Sequence, residues 1–130
     1  MREVYLDHAA TTYLDPRVKE AMDSYWTEDY GNPSSLYRPG RRAKEAMDRA
    51  RLTVARILGC REEEIIFTGG GTEAINLAIF GVAKIYGGHG KHLVTSAIEH
   101  HAVLHSMEAL GKEGFEITRI GVDEHGLVST

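Results

Sequence analysis

The sequence is short of the features that mark several large protein classes, and each shortage narrows the reading. It holds one cysteine, Cys60, so no disulfide framework can form within the chain. No run approaches the ~18 apolar residues of a membrane span, and the opening segment Met1–Thr12 lacks the apolar stretch of a secretory leader. A cytoplasmic location without a membrane partner is expected. The net charge is only −4 and the pI is near 6.0, which leaves no basic footprint for nucleic acid. Internal repeats and low-complexity tracts are also missing. What remains is 130 residues with 42% hydrophobic and 26% charged side chains, the balance of an ordinary globular domain.

The pattern of that domain is read from periodicity and punctuation. Val4–Leu6 is a short strand candidate. Asp15-Pro16 is a helix start, with Asp as N-cap and Pro at the first helical position, and Val18, Met22 and Tyr25 or Trp26 form its buried stripe. Tyr30 to Ser35 is a dense turn cluster. Apolar residues at three- and four-residue spacing predict a long helix from about Gly40 to Leu58, ended by Gly59. Glu64–Thr68 reads as a buried strand, followed by a helix over Glu73–Tyr86, a strand over His92–Ser96, a helix over His101–Lys112 and a strand over Phe115–Val122. Alternation of this kind predicts an α/β fold with a doubly wound, mostly parallel sheet. Three strands are few for such a sheet, so the pattern looks unfinished at Thr130 and a fragment is expected.

The first feature with chemical potential is Thr68-Gly69-Gly70-Gly71-Thr72, between a strand and a helix. Glycines let a backbone turn tightly and come close to a ligand. The helix that follows offers unpaired N–H groups and the positive end of its dipole, and Thr72 adds a hydroxyl. Residue types alone leave two readings open, an anion site or a turn that merely needs flexibility. The spacing fits neither the dinucleotide fingerprint nor a Walker loop. His100 follows the strand His92–Ser96, at the sheet edge where ligands collect in open parallel sheets, and its imidazole suits ring stacking or proton transfer. His101 and His105 stand four apart without a third ligand, so a packed or solvated pair is expected and no metal. Cys60 reads as a small filler residue.

Four segments together resemble the N-terminal third of the cysteine desulfurases, the NifS/IscS group. They are Tyr5 to Thr12, Tyr30 to Ser35, Ile65–Thr68 with Gly70–Glu73, and Thr95 to His100, in the order and spacing of that family. The resemblance implies an aspartate-aminotransferase-like (fold type I) enzyme that uses pyridoxal 5′-phosphate and works as a homodimer. It implies that residues 1–14 belong to a small domain and 15–130 begin the large, cofactor-binding one. In the family's pattern, the positions of Gly71 and Thr72 bind the cofactor phosphate. The position of His100 stacks on the ring and assists proton transfers. The implied activity is conversion of L-cysteine to L-alanine, with sulfur passed as an enzyme persulfide to an acceptor or scaffold protein, for iron–sulfur clusters, thio-cofactors or modified RNA.

A selenocysteine lyase or another class-V aminotransferase-like enzyme is the sibling reading, and a stand-alone binding module is a distant one. Departures from the family pattern are His8 in place of asparagine, Tyr37 in place of histidine, Gly69 and Gly71 in place of serine and alanine, and Ile75 in place of asparagine. The loop is still expected to bind phosphate through its backbone, since added glycine removes no N–H. By the same resemblance, the cofactor's lysine and the catalytic cysteine lie outside these residues. Lys19, Lys44, Lys84, Lys91 and Lys112 lie on helices or flank loops, and none has the family's combined serine and histidine context.

Overall fold

The computed structural model describes residues 3–128. They divide into two units, one running through Ile66 and the other beginning at Phe67.

In the first unit, α1 spans Pro16–Thr27 and starts as its sequence dictates. The Asp15 carboxylate accepts the Arg17 N–H at 2.8 Å, and Pro16 occupies the first turn, where a missing N–H costs nothing. The expected buried stripe is not buried. Val18, Met22, Tyr25 and Trp26 are all exposed, and no residue of α1 is enclosed by the described residues. Helix periodicity identifies a face suited to burial, but burial needs a partner surface, and none here covers it. α2 spans Arg38–Leu58 and begins earlier than expected because Pro39 is compatible with its first turn. It ends at Gly59, which is left-handed (φ 68°), and the Cys60 N–H returns to the Ala55 carbonyl.

The turn cluster between these helices is irregular, as expected, and it is pressed against the start of α2. A Cβ placed on Gly40 would lie 2.5 Å from the carbonyl oxygens of both Asn32 and Ser35. Glycine is required there by contact. Arg42 also reaches Asp29 at 2.6 Å, tying the segment after α1 to α2.

Two expected strands do not form. Val4–Leu6 has no ladder, and Glu62–Glu64 is a single 3-10 turn followed by Ile65 in extended conformation (φ −93°, ψ 123°). A β-branched run sets the extended backbone, but a strand exists only when a neighbouring strand takes its hydrogen bonds, and among the described residues no strand pairs with it.

The second unit contains α3 (Gly71–Tyr86), β1 (His92–Ser96), α4 (His101–Lys112) and β2 (Glu116–Ile120). β1 and β2 pair in parallel, from His92 beside Glu116 to Ser96 beside Ile120, with α4 as the crossover helix. Val122 lies outside β2 and instead bridges Val128 across the turn at Gly126. The core is small. Ala83, Ala102, Met107 and Leu110 are its buried apolar residues, joined by Thr95 and Ser106. Leu77, Val82 and Ile85, apolar positions of α3, stay exposed. α4 is also held to β2 by Arg119, which donates to the Glu108 carboxylate at 2.8 Å and holds that carboxyl below its ordinary range.

Candidate functional site

The site is built around the first turn of α3. Gly70 is its N-cap and offers no side-chain acceptor, and among the described residues the N–H groups of Gly71 and Thr72 make no hydrogen bond. Two backbone donors, the Thr72 hydroxyl and the positive end of a 16-residue helix therefore point toward open space. They line an open cleft of about 850 Å³ together with Asn76, Leu77 and Phe80.

The loop glycines are not there for a left-handed turn. Gly70 is extended (φ 164°), and neither Gly69 nor Gly71 lies in the left-handed region. A Cβ on Gly70 or Gly71 would meet no atom within 4 Å. Side chains would find room at both positions, so glycine there leaves the backbone uncovered. One expected donor is already used. The Gly69 N–H donates to the Glu73 carboxylate at 2.6 Å, and Thr68 Oγ1 donates to the Gly70 carbonyl at 3.1 Å, which together brace the loop. An anion with oxygens on several sides, such as a phosphate, fits this cradle.

His100 is the N-cap of α4. Its Nδ1 accepts the Ala102 N–H at 3.1 Å, so in the neutral ring the proton sits on Nε2. Sequence reasoning missed this role, because histidine is not among the usual capping residues; its position just before an apolar helical period was the available signal. His100 is exposed and does not line the glycine-loop cleft. The two are linked through side chains that the sequence did not single out. Asn76 on α3 lies 2.7 Å from Ser106 on α4, and Ser106 lies 2.7 Å from the Ala102 carbonyl.

His101 and His105 stack on each other, with centroids 5.6 Å apart, and among the described residues no group of three or more metal-ligating side chains converges. Cys60 is half-buried at the end of α2 and absent from the lining of the α3 cleft. No helix of the described residues is long and apolar enough to cross a membrane.

A family model, aminotransferase class-V, matches residues 4–130. The chain belongs to that family. A Bacillus subtilis (strain 168) protein named putative cysteine desulfurase IscS 1 is 50% identical over 129 residues, which is 99% of this chain and 34% of the relative. Among solved structures, a NifS-like protein superposes with a TM-score of 0.93 at 40% identity, over 98% of this chain and 35% of its own. A second, described as SspA in complex with cysteine, superposes at 0.88 with 37% identity, over 96% and 36%. The chain thus spans about one third of the length of the relatives it matches. These matches assign the class-V α/β architecture, of which the β1–α4–β2 unit and α3 form one part.

Proposed function

We propose that the full-length protein carrying this chain is a pyridoxal-phosphate-dependent cysteine desulfurase. The observation that carries the proposal is the uncapped first turn of α3, whose free donors and cleared backbone suit a phosphate, in a chain half identical to a protein named as a desulfurase. Gly71 and Thr72 bind the phosphate through their N–H groups, and Thr72 adds its hydroxyl. His100 stacks on the cofactor ring. With Nδ1 held by Ala102, its Nε2 is the atom that holds or moves a proton.

When bound, the cofactor supplies an electron sink for the substrate's amino-bearing carbon. Overall, L-cysteine and an enzyme thiol give L-alanine and an enzyme persulfide, which balances in sulfur and hydrogen. The thiol is a cysteine other than Cys60. The complex of a structural relative with cysteine supports this substrate. The proposal extends to residues 1–14 packing in a small domain, a homodimer, a cytoplasmic location, and sulfur delivery to an acceptor or scaffold protein for iron–sulfur cluster, thio-cofactor or modified-RNA synthesis.

The test is to add pyridoxal phosphate and then L-cysteine to the full-length protein. A visible absorbance band on cofactor addition, followed by L-alanine and sulfane sulfur in equal amounts, is expected. Absence of the band contradicts the cofactor assignment, and a band without alanine contradicts the reaction.

A further inference from the structure

We propose that Asn76 and Ser106 are positioning residues that lock His100 to the helix carrying the glycine loop; the proposal rests on the role given to His100 above. Ser106 is 3% exposed, and its Oγ lies 2.7 Å from both the Asn76 amide oxygen and the Ala102 carbonyl oxygen. A hydroxyl has one proton and cannot donate to both. The second contact would press two oxygens together at a hydroxyl that is itself buried, which is unfavourable. Turning the Asn76 amide by half a rotation removes the conflict at no cost in shape. Asn76 Nδ2 then donates to Ser106, and Ser106 donates to Ala102.

Ala102 is the residue whose N–H is accepted by His100 Nδ1. The chain of contacts therefore runs from Asn76, which lines the cleft five residues past Gly71, through Ser106 and Ala102 to the imidazole. It fixes which ring nitrogen carries the proton and ties the placement of the ring to the phosphate loop. The distance between the α3 N-terminus and His100 is then set by a hydrogen-bonded link as well as by apolar contact between α3 and α4.

The test compares full-length Ser106→Ala, Ser106→Thr and Asn76→Asp with the wild type. Amide exchange is read at Ala102, with Leu110 as the reference for global opening, and the His100 ring nitrogens are read by nitrogen NMR. In Ser106→Ala, Ala102 exchange should rise about tenfold relative to Leu110, equivalent to ~1.4 kcal/mol. The preference for a proton on Nε2 should weaken. Alanine production should lose a similar factor in kcat, with KM and cofactor affinity within about twofold. Ser106→Thr keeps the hydroxyl and should restore all three readouts. Asn76→Asp can only accept from Ser106, which pulls the proton away from Ala102, so its Ala102 exchange should match Ser106→Ala.

Wild-type exchange at Ala102 in Ser106→Ala or in Asn76→Asp overturns the proposal. If Ser106→Ala does not fold, Asn76→Asp set against Ser106→Thr decides it. Wild-type protein that takes up no cofactor would sink the functional reading instead, and the exchange data would still judge the link.

Discussion

Glu73 reaches back across the start of α3 and accepts the N–H of Gly69 at 2.6 Å. An acid at the third helical position complements the positive helix end, and here it also pins the loop that precedes the helix. Glu73→Ala should speed amide exchange at Gly69 severalfold, because that donor loses its acceptor. Glu73→Gln keeps an oxygen in place and should hold exchange near the wild-type rate. Equal rates in the two variants would mean that the brace does not hold the loop.

Two glycines with opposite surroundings give a paired stability test. Gly40→Ala drives a methyl against two backbone carbonyls and should cost about 1–3 kcal/mol in chemical unfolding of the full-length protein. Gly71→Ala meets open space and favours helix, so its unfolding midpoint should stay the same or rise slightly. A destabilised Gly71→Ala would show that glycine is needed for the fold itself.

The hydrogen bond from Arg119 keeps the Glu108 carboxyl below its ordinary value of 4.5. A carboxyl with a depressed folded value binds its proton more weakly when folded. Its stabilising contribution is therefore complete above the ordinary glutamate range and is lost as pH falls through the folded value. Glu108→Gln should be less stable than wild type at neutral pH, and the two should converge below pH 4.5. A stability gap that does not change with pH would assign the effect to packing.

Cys60 ends α2 by returning its N–H to Ala55 and takes no part in the cleft. Cys60→Ser should keep alanine production within about twofold, since the backbone bond that it makes survives the substitution. Loss of persulfide formation in that variant would make Cys60 the sulfur carrier and contradict its structural role.

Much of the local structure was legible because it depends on local chemistry. Asp15-Pro16 starts α1, Gly59 ends α2, and β1 and α4 fall on the residues that periodicity marks. What failed depends on partners. Ile65 is extended yet belongs to no ladder, and Val18, Trp26 and Ile85 have the spacing of a core face that the described residues leave exposed. At the site, the helix start and His100 were visible as residue types near strand ends. The capping bond of His100 and the Asn76–Ser106 contact were not, because residues 30 apart in sequence are brought together only by the packing of α3 on α4.

The central claim is that the α3 N-terminus holds the phosphate of the cofactor. Its most direct measurement is the affinity of the full-length protein for pyridoxal phosphate and for pyridoxal, which lacks the phosphate, in wild type and Thr72→Val. Losing one hydrogen bond to a charged group costs on the order of 1.5–3 kcal/mol. Thr72→Val should therefore weaken binding of pyridoxal phosphate by about tenfold or more and leave pyridoxal unchanged. An equal loss for both ligands, or no loss for either, would contradict the account.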